Sequence, residues 1–259
     1  MAITGLDDGA EEVREKAYAF LDALDETPRH ARMALAVQAI RTDPTLTDAY
    51  LAAADTAPRG SLESATLWLA ASELARRDAG QRIEMDAGSL WSSLHGRPYM
   101  RACAGYADCC FDRHDFGDAI AQCKRLLALD PADPLEAAPL LGASLLRSGD
   151  RAGFEAFRDH HGEDPRPAWL YVDAFYAASA KIPAKLRNAL LDRAITSNQH
   201  VPIALVSAPI DLDRIAHYTP GSGDEALVIG ASRPALLWRN HPTALRALLR
   251  RADATTTFG

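Results

Sequence analysis

Cysteine is the residue type in this 259-residue chain whose spacing comes closest to a chemical site. Cys103 and Cys110 share one face of a predicted helix, and Cys123 faces them from the next predicted helix. Three thiolates placed in this way could hold zinc or support a redox reaction. The alternative is that all three are core residues, because a free cysteine packs as a small hydrophobic side chain and no fourth ligand stands at a usual spacing.

Other motifs of catalysis and cofactor binding are missing from the sequence. It contains no Gly-rich phosphate loop, no dinucleotide fingerprint, no His-Glu-x-x-His and no nucleophile elbow. Asp115, Phe116 and Gly117 spell the magnesium motif of protein kinases, but the other kinase motifs are absent and the tripeptide stands at a predicted helix start. We therefore expect no catalytic residue, no metal, no cofactor and no enzymatic activity.

Two arginines form a further candidate site. Arg97 and Arg101 lie one helical turn apart and could clamp a carboxylate of a ligand. They could equally pair with an acidic neighbour such as Asp86 or Asp108. Both interpretations stay open from the sequence.

Histidine and tryptophan residues favour structural roles. His160 and His161 follow a predicted helix end, where the helix dipole favours a cation, and we expect a solvated terminus there. The tryptophans are spread one to a predicted helix, as packing anchors would be, rather than clustered as a stacking platform: Trp68, Trp91, Trp169 and Trp238.

The elements that carry these residues are predicted helices with one apolar stripe each. Between Phe116 and Leu129, apolar residues recur at spacings of three and four. Asp115 is the predicted N-cap of this helix, and Asp130 before Pro131 ends it because the residue before a proline disfavours the α region. A matching helix begins near residue 98. Two such helices cannot bury both faces by themselves, so the pair needs neighbours.

This helix pair resembles a tetratricopeptide repeat (TPR), the 34-residue helix-turn-helix unit with large and small residues at fixed offsets. If Pro131 is the last consensus position, Tyr106 and Ala107 fall on the large-small pair of the motif. Ala119 then falls on the small residue where the two helices cross. The resemblance implies that residues 98–131 form one repeat.

Two further units resemble the same repeat. The next one matches at Leu141, Gly142, Leu145, Gly149 and Asp150, and a third begins near Trp169 and has its second helix at 183–197. Segments 97–101, 200–202 and 218–226 are similar to a group of bacterial TPR proteins. The resemblance therefore implies three consecutive repeats.

The predicted fold is all-α, an α-solenoid of TPR-like helix-turn-helix repeats with a divergent helical N-terminal part and a C-terminal cap. Residues 1–97 hold TPR-like helices with an inserted helical pair at 62–77 and 82–94, and residues 98–197 hold the three repeats. Residues 198–259 hold an extended or broken segment at 201–210 and capping helices. We expect one continuous solenoid.

The resemblance also implies a binding function. Ligands of this family commonly lie in the concave groove lined by the first helix of each unit. By position, that groove presents Arg101, Asp108, Phe111, Asp112, Glu136, Leu146 and Arg147. We expect a protein–protein interaction scaffold or adaptor that holds a peptide or protein surface, with Arg101 and Phe111 as anchors. An accessory subunit of a nearby-encoded enzyme is the alternative that the sequence leaves open.

Charge and composition bear on partners and compartment. The formal charge of −7 argues against a nucleic-acid partner, since such surfaces are normally basic. No apolar run approaches the roughly 20 residues that cross a bilayer, and the first residues lack the basic and apolar regions of a secretory signal. The cysteines do not form a framework of the secreted type. We therefore expect no membrane partner and a cytoplasmic location.

Overall fold

The computed structural model of the chain describes residues 8–208, 215 and 217–256, and every regular element within these ranges is a helix. The all-α class predicted from the sequence is therefore confirmed. The chain forms two compact units, Met1–Ala137 and Ala138–Gly259. Among the described helices, none combines the length and the apolar character that spanning a bilayer would need.

The first unit is built from helices that pack on one another in chain order. α1 packs on α2, α2 on α3, α3 on α4, α4 on α6 and α6 on α7. Alanine allows the first three helices to approach closely, because Ala17, Ala39 and Ala49 are fully buried where they meet. The helices are α1 (Asp8–Asp22), α2 (Arg29–Thr42), α3 (Thr47–Thr56), α4 (Leu62–Ala79), α5 (Arg82–Met85), α6 (Gly96–Asp112) and α7 (Phe116–Leu129).

Trp68 and Gly105 fix α4 against α6. A β-carbon on Gly105 would lie 2.5 Å from three atoms of the Trp68 ring, so only glycine lets the ring approach the α6 backbone. Trp68 belongs to a core cluster with Leu51, Ala54, Ala65, Ala71, Ala102 and Cys109. The indole is therefore a packing anchor of the first unit, as its place in the sequence predicts.

The turn between α6 and α7 is closed by backbone hydrogen bonds. His114 has a φ of 64°, and the N–H of Asp115 donates to the Cys110 carbonyl at 2.8 Å. Asp115 occupies the predicted N-cap position, but its side chain makes no capping hydrogen bond and accepts one from Nε of Arg113 at 2.9 Å. Ala119, predicted at the helix crossing, is fully buried.

The predicted helix at 82–94 is interrupted, which corrects that part of the sequence analysis. α5 covers only its first four residues, and a 3-10 turn, Leu90–Ser92, follows. Gly88 has a φ of 99°, and its N–H donates to the Leu129 carbonyl at 2.8 Å. The N–H of Trp91 donates to the Asp130 carboxylate at 3.0 Å. Because these N–H groups bond to the end of α7, they are not available to continue a helix.

The second unit contains most of α8 and the helices that follow it. α8 begins at Ala137, after a connection whose backbone has two residues with positive φ. Asp133 and Glu136 have φ values of 52° and 53°, and the Asp133 carboxylate accepts the N–H of Ala137 at 2.6 Å. The helices are α8 (Ala137–Ser148), α9 (Arg151–His161), α10 (Pro167–Ser179), α11 (Ala184–Ser197), α12 (Val201–Val206), α13 (Gly223–Ala231), α14 (Ala235–Arg239) and α15 (Pro242–Thr256).

α10 is the central helix of the second unit. Every residue from Ala168 to Ala177 is buried, which is typical of a helix covered on all sides. α14 and α15 pack on α10, and α15 also packs on α11. The indole N–H of Trp238 donates to the Tyr171 carbonyl at 3.0 Å, and the Trp238 ring meets Phe175 edge-on at 5.3 Å. The last helices thus pack on α10 and α11.

The segment after α11 is helical where the sequence predicted an extended or broken one. α12 covers Val201–Val206, and Pro202 is tolerated because it stands in the first turn, where its missing N–H breaks no helical bond. Residues 209–210 of the predicted segment lie outside the described residues. The Ser222 hydroxyl caps α13 by accepting the N–H of Glu225 at 3.2 Å.

Candidate functional site

A cleft opens in the first unit between α1, the start of α3, the end of α4 and the segment before α6. We call it the N-terminal cleft. Its deeper part encloses about 160 Å³ and is lined by Arg14, Tyr18, Thr45, Leu46, Thr47, Asp48, Ala75, Asp78, Leu94, His95 and Pro98. A more open part of about 530 Å³ adjoins it and is lined by Ala10, Glu11, Val13, Arg14, Asp43 and Thr45.

Arg14 lies where the two parts of the N-terminal cleft meet. Its Nε donates to the Asp43 carboxylate at 3.1 Å, and the same carboxylate accepts the N–H of Thr45 at 2.9 Å. Burial raises the pKa of Asp43, but the hydrogen bonds from Thr45 and Arg14 outweigh it and hold the pKa below its usual value. The Arg14 side chain is 53% exposed. It is therefore anchored at Asp43 and remains accessible to a ligand.

The walls of the deeper part carry two acidic side chains, each of which accepts a hydrogen bond from a hydroxyl group. The Tyr18 hydroxyl donates to Asp48 at 3.1 Å, and the Thr47 hydroxyl donates to Asp78 at 3.4 Å. Burial, and after it the charge of Asp48, raise the pKa of Tyr18, so the phenol stays neutral and acts as a donor. Thr47 and Asp48 begin α3, whereas Asp78 lies in the last turn of α4.

Apolar side chains form the floor and the rim of the N-terminal cleft. Leu46 and Ala75 are buried beneath it. Tyr18 is 39% exposed and Leu94 is 77% exposed at the rim of the deeper part, and Val13 is 40% exposed beside the more open part. An exposed aromatic ring, an exposed aliphatic chain and an accessible arginine therefore lie around one concave surface.

Four of the residues predicted to line a groove lie together on α6. Arg101 is exposed, and Asp108 and Asp112 are half-buried. Phe111, however, is only 3% exposed and packs edge-on against Phe116, with ring centroids 5.5 Å apart. The prediction that Phe111 points into an open groove is therefore corrected, because the start of α7 covers the ring.

The other predicted groove residues lie outside α6. Glu136 is half-buried in the connection before α8, where its φ is positive. Leu146 and Arg147 are half-buried in α8, in the second unit. The structure thus brings together the α6 residues, and a binding role for Glu136, Leu146 and Arg147 stays a prediction.

The cysteines are core residues in this structure. All four are buried and free of disulfide bonds. Burial raises the pKa of Cys103 and Cys123, and it raises the pKa of Cys110 to about 11. These thiols are therefore protonated at neutral pH, whereas metal binding and nucleophilic attack require the thiolate. Within the described ranges, no cluster of three or more histidine, cysteine or acidic side chains is arranged to hold a metal ion.

Arg97 and His161 have partners that the sequence did not indicate. Arg97, for which a ligand clamp and an acidic partner were both open, donates from its Nε to the Trp91 carbonyl at 2.8 Å, and its guanidinium lies 5.8 Å from the Trp91 ring centroid. His161 is not a solvated terminus, because its ring stacks on Phe157 and its Nε2 lies 3.0 Å from the Asp164 carboxylate. The partners of both side chains are therefore set by how the chain packs around them.

Sequence reasoning missed the N-terminal cleft. Its lining residues come from separate elements between residues 10 and 98, and they form no motif with a fixed spacing. The one local signal in the sequence is Leu94, an apolar residue among polar ones, and the structure shows that it is exposed. Comparison of the chain with protein-family models, with curated proteins and with solved structures gives no match.

Proposed function

We propose that this protein is a binding module, an α-solenoid scaffold or adaptor of TPR-like repeats that holds a peptide or protein surface and performs no chemistry of its own. The observation that carries the proposal is the N-terminal cleft, where Tyr18, Leu94 and Arg14 are exposed around one concavity. Aromatic and arginine side chains are the residues that most often anchor protein interfaces. A partner would be held there by a few such side chains.

The arrangement of the helices supports the repeat part of the proposal. α6 packs on α7 and α10 packs on α11, which are the pairs that the TPR resemblance predicts. α11 also begins one residue after the predicted Pro183 and ends at the predicted Ser197. In repeats of this kind each pair leaves one face for its neighbour and another for a ligand. Arg101 on α6 is exposed, and its role as an anchor stays a prediction.

The alternative of a thiol or metal site receives no support, because the raised pKa of each of Cys103, Cys110 and Cys123 keeps its thiol neutral. The alternative of an accessory subunit uses the same surface and differs only in that the partner is an enzyme. Free, buried cysteines fit a reducing compartment, so we propose that the protein acts in the cytoplasm.

The test compares two residues of equal exposure. Leu94 in the N-terminal cleft and Met85 outside it are both 77% exposed. Three tagged proteins are used to capture partners from a lysate of the native host, followed by mass spectrometry: the wild type, the cleft variant Leu94→Ser and the control Met85→Ser. We expect the wild type and Met85→Ser to capture the same protein and the cleft variant to lose it. Equal capture by all three, with unchanged helical content, would remove the N-terminal cleft as the binding surface.

A further inference from the structure

The N-terminal cleft carries an excess of negative charge. Its lining residues include four acidic side chains and two basic ones, the guanidinium of Arg14 and the imidazole of His95: Glu11, Asp43, Asp48 and Asp78 are the acids. Since Arg14 is paired with Asp43, the remaining carboxylates set the local potential. An acidic ligand would be repelled from this surface, and a cation would be attracted to it.

The deeper part of the N-terminal cleft has acceptors to spare for such a cation. Among the described residues, the donors to Asp48 and Asp78 are the neutral hydroxyls of Tyr18 and Thr47. A carboxylate offers about four acceptor sites, so each can accept further hydrogen bonds. Asp78 also stands at the C-terminal end of α4, where the helix dipole is negative and favours a positive charge.

The neighbouring arginines of α4 do not provide this positive charge. Arg76 and Arg77 share the last turn with Asp78, but both bind Glu73, at 2.9 and 2.8 Å. Neither lines the N-terminal cleft. Within the part of the chain that the structure describes, these two arginines therefore leave the carboxylate of Asp78 to other partners.

The size of the deeper part limits what can enter it. It encloses about 160 Å³, and a protein cavity of about 150 Å³ holds one benzene-sized group. One side chain therefore fits, but a folded element does not. At the rim, Tyr18 and Leu94 offer apolar surface of the kind on which the methylene stem of a long cationic side chain packs.

We propose that the N-terminal cleft receives a lysine or arginine side chain from an exposed, basic segment of a partner protein. Its cationic head lies between Asp48 and Asp78, and its stem packs on Tyr18 and Leu94. This inference rests on the proposed binding function and adds the chemistry of the partner. Shape, apolar rim and charge are independent properties of the same surface, and all three fit this occupant.

The test begins with an unbiased peptide library displayed on phage and selected on the full-length chain. We expect selected peptides to share a lysine or arginine next to an aliphatic residue. One of them, synthesised with a fluorophore, is then titrated by fluorescence anisotropy against the wild type and against Asp48→Asn with Asp78→Asn, which retains the acceptors for the two hydroxyls. Glu63→Gln is the matched control, because Glu63 is an exposed acid of α4 outside the N-terminal cleft.

We expect the double variant to bind the peptide at least about tenfold more weakly, as loss of charge-assisted hydrogen bonds predicts. Glu63→Gln should bind as the wild type does, and replacing the peptide's cationic residue by glutamine should give the same loss as the double variant. Binding to the wild type should also weaken as salt is added, because salt screens exposed charges.

The outcomes separate this inference from the function on which it rests. Selection of acidic or purely apolar peptides that Leu94→Ser weakens would overturn the cationic occupant and leave the binding function standing. A basic peptide that binds the double variant unchanged would do the same. If no peptide is selected, or if Leu94→Ser binds every peptide as the wild type does, both ideas fail. If the wild type sediments as a dimer and the double variant as a monomer, the occupant of the N-terminal cleft is a second copy of the chain and not a separate partner.

Discussion

Replacing Gly105 by alanine tests the packing that holds α4 on α6. Alanine is the better helix former by about 1 kcal/mol, so Gly105→Ala would stabilise an isolated α6. In the folded chain the added β-carbon would stand 2.5 Å from the Trp68 ring. Carbon atoms prefer about 3.5 to 4.0 Å. The ring or the helix must therefore move by about 1 Å.

The surrounding core resists that movement. Trp68 is 8% exposed and is enclosed by the cluster that includes Leu51 and Cys109. Overpacking of this kind costs about 1 to 3 kcal/mol, and the gain in helix propensity offsets part of it. We expect a net loss of about 1 to 2 kcal/mol, which lowers the melting temperature by roughly 2 to 8 °C for a chain of this size.

Gly117 provides the matched control, since a β-carbon there meets nothing within 4 Å. Gly117→Ala in α7 should be neutral or stabilising by about 0.4 to 1 kcal/mol. Thermal unfolding followed by circular dichroism measures both variants. The reasoning is refuted if Gly105→Ala melts as high as Gly117→Ala. A second measurement combines Gly105→Ala with Trp68→Phe. Because the phenyl ring is smaller than the indole, the added β-carbon should cost less stability in this double variant, and the difference is a measurable coupling energy.

Two other predictions concern buried polar groups. Asp173→Ala should destabilise the second unit by about 2 kcal/mol in urea unfolding, because it leaves the half-buried Arg158 without the carboxylate that it binds at 2.5 Å. The control is Glu73→Ala, which removes an exposed ion pair and should leave the urea midpoint nearly unchanged. Equal losses of unfolding free energy in the two variants would contradict the role of burial. Burial raises the pKa of Cys110 from 9.0 to about 11, so the unfolded chain loses this proton first as pH rises. The free energy of unfolding should therefore fall between about pH 9 and pH 11, and Cys110→Ser should make that fall less steep; an identical slope would exclude the contribution.

The helices with strong local signals were predictable from the sequence. α7 follows Asp115 and ends before Asp130, as predicted. There the 3.6-residue period and the residues at the ends act within a few positions of the chain. α11 was predicted from the resemblance to the repeat, and its observed bounds differ from the predicted ones by one residue. Such information is fully present in one sequence.

Positions that depend on distant hydrogen bonds were not predictable in this way. The residues around Gly88 carry a helical pattern, but their N–H groups bond to Leu129 and Asp130 about 40 positions later. Phe111 has the register of a groove residue, but Phe116 covers it from across the turn. The N-terminal cleft belongs to the same class, because Tyr18, Asp48 and Asp78 meet only after α1, α3 and α4 have packed. No period or cap in the sequence encodes these meetings.

The hydrogen bond between Trp238 and Tyr171 has a consequence for synthesis on the ribosome. The two residues are 67 positions apart, and α10 is buried on all sides only when the later helices have joined it. At about 5 to 20 residues per second, the indole emerges roughly 3 to 13 s after its acceptor. Phe175, which rests on that indole, stays uncovered for the same interval. Nascent α10 therefore exposes apolar side chains during this interval, whereas α1, α2 and α3 of the first unit each pack on the helix that follows directly in the chain.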